Sequence, residues 1–340
     1  MLEALRAHDP NTVELPCGKG SVLLPPSLAG RIFCQWDGEL IHRLDADSLG
    51  APAGGDYINL GGNSLWPAPE GGEYAFNYGE NSDAWLVQEG IATTPVAVSL
   101  SGDSAVVNKQ ITLNNRKGKS LNLTYCRAVS VETALTAGYE LEGLRYFTED
   151  RFDPEADQDA TDVLLAPWSL EQFPGAEGIV AFGTLGDPSQ PLNLDFYGDP
   201  GHRIVHAAGQ FTFHLGGVDR HQIGIPVASQ PTLIGALDLN RSLLFVRRTA
   251  PQPGRYFNIA DNDQAAGPWS AADLFSIFNG GELGFFELET IGAMNVQDGR
   301  LGKSSLHSET LILKGSKDEL LRYSAEVLGV HLEKAADSAS

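Results

Sequence analysis

Short segments in which apolar and polar residues alternate recur along most of the chain. The clearest pair is Val96–Leu100 and Ala105–Leu113, separated by the turn sequence SGDS, and Leu121–Val129 alternates in the same way. A period of two places apolar side chains on one face of an extended strand, which is typical of a half-buried β-strand. Further strands are predicted over seven segments: Ser21–Leu24, Arg31–Trp36, Gly178–Gly183, Gln210–Leu215, Leu243–Arg248, Gly284–Thr290 and Ser305–Leu313.

Helical patterns are few. Leu2–His8 predicts a short helix, and Ser316–Leu328 predicts a longer one, with Ser316 as its N-cap and Gly329 after its end. Many short strands separated by glycine- and proline-containing turns favour a sandwich or barrel. We therefore expect a mainly β protein with one β-sandwich domain over residues 1–330 and a frayed polar tail over 331–340.

Charge and composition narrow the function classes. The chain of 340 residues carries a formal net charge of −21, which disfavours nucleic acids and anionic membrane surfaces as partners. No apolar stretch approaches the length of about 18 residues that a membrane span requires, and residues 1–11 lack a signal-peptide pattern, so a cytoplasmic location is expected. Cys17, Cys34 and Cys126 show no metal-ligand spacing and are expected to be buried thiols. Neither a metal nor a cofactor is expected, and the sequence gives no indication of oligomeric state.

The segment GGNSLWPAPEGG, residues 61–72, combines an amide, an aromatic ring and a carboxylate in one short stretch. Its glycines permit tight turns and its prolines stiffen the backbone around Asn63, Trp66 and Glu70. An aromatic ring can stack on the C–H groups of a sugar while a carboxylate accepts its hydroxyl protons. The structural alternative is a buried Trp66 that fills the end of the sandwich.

The segment APWSLEQFPG, residues 166–175, has the same character. Trp168 and Glu171 lie between two prolines, so a ring and a carboxylate are again close in sequence. The alternative is a strand whose tryptophan belongs to the core.

The segment NGGELGFFELETIG, residues 279–292, begins with Asn279 and contains Glu287 and Glu289. Side chains two residues apart in a strand point to the same face. Two carboxylates there repel each other unless a ligand, a cation or an arginine lies between them. The alternative is a solvated face.

These segments, in this order, resemble a bacterial family of uncharacterised proteins, DUF4380, of the galactose mutarotase-like superfamily. The resemblance rests on GGNSLWPAPE (61–70), APWSL (166–170), HQIG (221–224) and NGG…GFFELET (279–290), and covers residues 15–315. It implies a β-supersandwich with a carbohydrate-facing cleft.

Leu288-Glu289-Thr290 also resembles the Leu-Glu-Thr of aldose 1-epimerases, in which the glutamate is the general base. The resemblance thus implies that Glu289 takes the proton of the anomeric hydroxyl and that no cofactor is needed. Those epimerases supply a histidine as general acid, expected here near residues 161–172, where this chain has none. Glu171 or His221 is the candidate replacement.

Three functions remain open from the sequence. The first is a carbohydrate-binding protein that holds a sugar or sugar derivative with Asn63, Trp66, Glu70, Trp168, Asn279 and Glu287 around Glu289. The second is an aldose 1-epimerase-like enzyme with an acid opposite Glu289. The third is another carbohydrate-active enzyme, a glycoside hydrolase or lyase, and a hydrolase would pair Glu289 with a second carboxylate across the cleft.

Overall fold

The computed structural model describes residues 1–50, 59–78, 86–134, 136–155, 158–257 and 272–338. Within these ranges strands predominate and helices are short. The helices are α1 (Leu2–His8), α2 (Glu89–Ala92), α3 (Lys317–Glu326) and α4 (Glu333–Ser338), with 3-10 turns at Gly201–Arg203, Val227–Ser229 and Gly281–Leu283.

The strands are β1 (Val13–Cys17), β2 (Gly20–Leu24), β3 (Phe33–Trp36), β4 (Glu39–Leu40), β5 (Asn63–Ala68), β6 (Ala97–Ser101), β7 (Ser104–Asn114), β8 (Ser120–Thr133), β9 (Glu142–Pro154), β10 (Ala166–Pro174), β11 (Ile179–Thr184), β12 (Asn193–Phe196), β13 (Ile204–Ala207), β14 (Gln210–His214), β15 (His221–Pro226), β16 (Ile234–Asp238), β17 (Leu243–Arg248), β18 (Asp273–Asn279), β19 (Phe285–Ile291), β20 (Val296–Gln297), β21 (Arg300–Leu301) and β22 (Ser304–Lys314).

Two large antiparallel sheets form the sandwich. One has ten strands in the order β13-β14-β11-β16-β17-β22-β9-β8-β7-β6, and the other has six in the order β12-β15-β18-β19-β10-β5. A four-stranded sheet, β1-β2-β3-β4, and the pair β20-β21 complete the arrangement. The predicted mainly β, antiparallel sandwich with few short helices is confirmed.

The longest strands show the predicted alternation. In β7 every second residue from Ala105 to Leu113 is buried, and the intervening side chains are exposed or half-buried. By contrast, β10 and β19 in the middle of the six-stranded sheet are buried on both faces. A polar side chain in these two strands is therefore inside the protein whichever face it belongs to.

The C-terminal segment differs from the expectation of a frayed tail. Residues Glu333–Ser338 form α4, and Val330, Leu332 and Ala336 are fully buried in one cluster with Leu320 of α3. The apolar residues among the charged ones give this short segment a buried side. The cap of α3 is as predicted, since Ser316 Oγ accepts a hydrogen bond from the Glu319 N–H.

Cys17, Cys34 and Cys126 are free and buried, as expected. Among the described residues, no helix is long and apolar enough to cross a lipid bilayer.

Candidate functional site

The six-stranded sheet carries polar side chains on both faces, and strand register separates them into two groups. In β19 and β10 Glu289 pairs with Leu170, and Glu287 pairs with Gln172. In the same register Glu171 lies opposite Leu288, between these pairs. Because neighbouring residues of a strand point to opposite faces, Glu287 and Glu289 share one face and Glu171 belongs to the other.

We call the first group the Glu289 face. It lies on the side of the six-stranded sheet away from the ten-stranded sheet, and its members are Trp66, Trp168, Gln172, Gln222, Ser276, Glu287 and Glu289. We call the second group the inter-sheet layer. It lies between the two large sheets, and its members are Asn63, Arg127, Tyr146, Ser169, Glu171 and Arg247.

Glu289 is fully buried at the centre of its face. Trp168 Nε1 donates to Glu289 Oε2 at 3.1 Å, and Gln222 Nε2 lies 3.4 and 3.3 Å from its two carboxyl oxygens. The same Gln222 nitrogen donates to Ser276 Oγ at 3.0 Å. Three strands besides its own thus supply polar neighbours to this carboxyl group.

Glu287 and Glu289 form a coupled pair. Burial, the charge of Glu287 and a hydrogen bond with Glu287 raise the pKa of Glu289 well above its usual range, against the opposing effect of the Trp168 N–H. Burial also raises the pKa of Glu287, while hydrogen bonds from Glu289 and Gln172 act in the other direction. Burial and the neighbouring carboxyl group thus favour the protonated form of Glu289 more strongly than that of Glu287.

The raised pKa values explain how two carboxyl groups lie side by side on one face, since protonation relieves their repulsion. The sequence suggested a ligand, a cation or an arginine between them, and here a hydrogen bond joins them directly. The positive charge of Arg43 lies farther away and acts to lower the pKa of Glu287. Gln172 links the two residues, since Arg43 Nη1 donates to Gln172 Oε1 at 3.3 Å and Gln172 donates to Glu287.

Glu70 lies two residues after the end of β5 and is 9% exposed. Its charge contributes to the raised pKa of Glu289, so the structure brings it near the pair. The described residues nevertheless contain no group of three or more His, Cys, Asp or Glu side chains arranged to hold a metal ion.

Trp66 and Trp168 pack against each other rather than standing open. Their rings meet edge to face with centroids 5.9 Å apart, and they are 3% and 2% exposed. Both belong to the main core cluster, in keeping with the core-packing alternative. Trp168 still contributes to the site through its N–H group.

Glu171 lies in the inter-sheet layer and not beside Glu289. Its carboxylate forms an ion pair with Arg247, whose Nε is 2.9 Å away, and accepts hydrogen bonds from His42 Nε2 and Thr310 Oγ1, both at 2.8 Å, and it also contacts the Tyr146 hydroxyl. Burial acts to raise its pKa, but the Arg247 charge and these hydrogen bonds outweigh that effect and lower the pKa to about 2. Glu171 is thus a fully paired carboxylate.

The histidine beside Glu171 comes from an unexpected part of the chain. His42 Nδ1 accepts from the Cys34 backbone N–H at 2.8 Å, so the proton of the neutral ring is on Nε2, which donates to Glu171. The two residues are 129 positions apart, and no local pattern links them.

Asn63 also belongs to the inter-sheet layer. Its Oδ1 accepts from Arg127 Nη2 at 2.6 Å and from Ser169 Oγ at 3.0 Å, and its Nδ2 donates to the Tyr146 hydroxyl at 3.0 Å. Arg127 also forms a buried ion pair with Asp150. Asn63 therefore joins the two sheets.

Asn279 and His221 are paired neighbours at one end of the six-stranded sheet. The Asn279 side chain holds a loop, with hydrogen bonds to both backbone groups of Gly216 and to the Asp219 carbonyl. The register places His221 on the opposite face from its neighbour Gln222, and Gln222 is the one that contacts Glu289.

Of the nine residues predicted from the sequence, the structure brings together Trp66, Glu70, Trp168, Glu287 and Glu289. Gln172, Gln222 and Ser276 were missed, although Gln172 and Gln222 lie within the motifs of residues 166–175 and 221–224, and Ser276 is three residues before Asn279. The alternation of side chains along a strand is the signal that indicates Gln172 and Gln222. Each immediately follows a predicted site residue that points away from the Glu289 face, so each points toward that face.

A family model for a family of unknown function, DUF6786, matches residues 2–339. The chain belongs to this family. The resemblance to DUF4380 is thereby corrected, because four short motifs are too little sequence to separate two families. None of the curated proteins matches the chain significantly.

Several solved structures are similar in fold. They include a galactose mutarotase-like protein from Lactobacillus casei (12% identity, TM-score 0.48, 89% of this chain and 99% of that one). An Escherichia coli K12 protein assigned provisionally to the aldose 1-epimerases has 13% identity, a TM-score of 0.48 and the same coverage. At these values the likeness carries no argument about function, which must come from the site itself.

Proposed function

We propose that the protein binds an uncharged sugar on the Glu289 face, with Glu289, Glu287, Gln172 and Gln222 as partners for its hydroxyl groups. The observation that carries the proposal is the buried Glu287–Glu289 pair, which hydrogen-bonds the side-chain amides of Gln172 and Gln222. Ligand sites commonly combine apolar walls with a few convergent polar groups of perturbed pKa. Three carboxyl groups, with Glu70, disfavour anionic sugars.

Because Glu289 and both tryptophan rings are buried, a ligand that reaches the pair has to open this face. Opening breaks the hydrogen bond from the Trp168 N–H to Glu289 and changes the surroundings of the indole ring. We expect the intrinsic tryptophan fluorescence to change on binding and the change to be lost in Trp168→Phe.

A second candidate function is proton transfer of the aldose 1-epimerase kind, and the raised pKa of Glu289 beside a second carboxyl group favours it. In ring opening, Glu289 would give its proton to the ring oxygen while the Glu287 carboxylate takes the proton of the anomeric hydroxyl. The bond between the anomeric carbon and the ring oxygen breaks, a carbonyl group forms, and the pair still holds one proton. Ring closure on the other carbonyl face reverses both transfers. In this scheme Glu287 is the base, and Glu289, expected from the resemblance to be the base, starts as the acid.

The test is a panel of neutral monosaccharides and disaccharides with the corresponding uronic acids, measured by thermal shift on wild type and Glu289→Ala. Binding to the native state raises the melting temperature. A shift with neutral sugars that Glu289→Ala abolishes supports the proposal. Glu149→Gln, on the exposed side of β9, is the control and should behave like wild type. If no sugar shifts the wild-type protein, the proposal fails.

Glu289→Gln separates the two functions. Glutamine keeps the size and hydrogen-bonding capacity of a protonated glutamate but cannot transfer a proton. A binding protein should retain its sugar in this variant. An epimerase should retain the sugar but lose its acceleration of mutarotation, followed by polarimetry. Absence of any acceleration by wild type with a sugar that binds would exclude the second candidate.

A further inference from the structure

A fourth carboxyl group lies on the same side of the six-stranded sheet as Glu289. Asp273, at the start of β18, is 2% exposed. Its Oδ2 accepts from Asn193 Nδ2 at 2.8 Å, and its Oδ1 is buried without a hydrogen-bond partner in the part of the chain that the structure describes. Buried carboxyl oxygens are normally paired, so a free one needs an explanation.

Strand register relates Asp273 to the Glu289 face. Glu289 of β19 pairs with Ser276 of β18, Ser276 pairs with Gly224 of β15, and Gly224 pairs with Asn193 of β12. These four residues form a row across four neighbouring strands. At the usual strand spacing of about 4.8 Å, Gly224 is about 10 Å from Glu289.

Gly224 makes the room for Asp273. A Cβ atom on Gly224 would overlap all three atoms of the Asp273 carboxyl group. Gly224 is two residues from Gln222 on the same strand and therefore points to the same face. The Asp273 carboxyl group thus lies directly over Gly224, on the Glu289 face.

The group is suited to exchanging hydrogen bonds with hydroxyls. Burial raises the pKa of Asp273 to about 7, with a smaller contribution from the charge of Asp195 and an opposing one from the Asn193 hydrogen bond. Near neutral pH its free oxygen can therefore be a donor or an acceptor.

We propose that Asp273 is a second ligand-binding carboxyl group of the sugar site, and that a sugar lying over Ser276 is held between it and Glu289. This inference rests on the proposed function. It extends the site along the row, toward β12, and gives the unpaired oxygen a partner in the bound state.

The test repeats the sugar panel on three variants. Asp273→Ala removes the carboxyl group, and Gly224→Ala keeps it but displaces it. In each we expect affinity for the binding sugar to fall at least about tenfold, the usual scale for one buried hydrogen bond to a polar ligand. Asp273→Asn keeps a donor and an acceptor in place and should bind more tightly than Asp273→Ala. Glu149→Gln, on the exposed side of β9, is again the control and should bind like wild type.

The outcomes distinguish a failure of this inference from a failure of the proposed function. If a sugar binds wild type, is lost in Glu289→Ala and binds Asp273→Ala and Gly224→Ala unchanged, Asp273 is not a ligand and the proposed function stands. If no sugar binds the wild-type protein, both the inference about Asp273 and the proposed function are contradicted. Melting curves without sugar show whether each variant is folded. If Asp273→Ala is unfolded, the sugar affinities of Gly224→Ala and Asp273→Asn are compared instead. Wild-type affinity in Gly224→Ala would then contradict the inference.

Discussion

At the scale of single residues, the two central strands show how one alternating pattern can place carboxyl groups in opposite electrostatic situations. Glu289 and Glu171 are both fully buried, and Leu170, the partner of Glu289 across the strands, is the residue before Glu171. Glu171 meets an arginine and three further donors and stays ionised. Glu289 meets another carboxyl group, and burial together with that group raises its pKa well above the usual range. The difference lies in what the neighbouring strands supply on each side.

Glu171→Gln should destabilise the protein by about 3–5 kcal/mol, because it leaves the buried charge of Arg247 without its counterion. Glu309→Gln is the matched control. Glu309 is ion-paired with Arg145 and Arg248 but is partly exposed, so its loss should cost at most about 1 kcal/mol. Urea unfolding at neutral pH measures both. Equal effects would contradict the role given to the inter-sheet layer.

Asp273 should make stability depend on pH. Its folded-state pKa of about 7 is above the unfolded value of about 3.9, so the folded state holds the proton more tightly. The resulting stabilisation is complete below about pH 4 and is lost as the pH rises to about 7, by up to about 4 kcal/mol. Asp273→Asn should remove this component. The difference in unfolding free energy between wild type and variant, measured from pH 4 to 8, should therefore change across this window, and a constant difference would contradict the assignment.

At the scale of elements, the turn before β5 connects the backbone to the site. Gly61 has φ +85° and Gly62 has φ +71°. The Gly62 N–H donates to the Arg43 carbonyl at 3.0 Å, and the Gln172 N–H donates to the Gly62 carbonyl at 3.0 Å. This turn therefore positions Arg43 and Gln172, and Gln172 donates a hydrogen bond to Glu287.

Gly61→Ala should be more harmful than a positive φ alone explains. A Cβ atom there would overlap the Arg43 carbonyl group, whereas at Gly72, with φ +80°, it would meet nothing within 4 Å. We expect Gly72→Ala to cost about 1–2 kcal/mol, the penalty for a left-handed alanine, and Gly61→Ala to cost clearly more. Thermal unfolding of the two variants checks this. Similar losses would show that the close approach at Gly61 is relieved easily.

Element prediction succeeded where one face of a strand is exposed. Strands β7 and β8 were predicted to within a few residues at each end. In these strands the alternation of residue types reflects one buried face and one solvent-exposed face. The same alternation separated Glu287 and Glu289 from their neighbours. It could not indicate that Glu171 and Asn63 face the second sheet, since in a strand buried on both sides polar residues occur on either face.

At the scale of the whole molecule, the C-terminal segment closes the outer side of the ten-stranded sheet. Val330 and Leu332 join α4 to the cluster around α3. The Gln210 side chain pairs with both backbone groups of His331, at 2.8 Å each. These contacts fix a segment whose charged residues alone suggested a loose end.

Truncation after Gly329 should therefore lower stability by about 3–6 kcal/mol, from the loss of two fully buried aliphatic side chains. Truncation after Ser338 removes only residues 339–340 and should leave stability unchanged. Chemical denaturation of both truncated chains measures the difference. A stable protein ending at Gly329 would restore the expectation of a dispensable tail.

The sequence by itself determined the class of fold and the central feature of the candidate site. Alternating segments and turn residues are local properties, so they predict an antiparallel sandwich without knowledge of any contact, and the two-residue spacing places Glu287 beside Glu289. Only the tertiary structure decided which residues join them. Gln222, Ser276 and Asp273 come from other strands, and His42 reaches Glu171 across 129 positions. The protonation of each carboxyl group depends on burial and on charges brought in by distant segments, because desolvation and Coulomb interactions act through space and not along the chain.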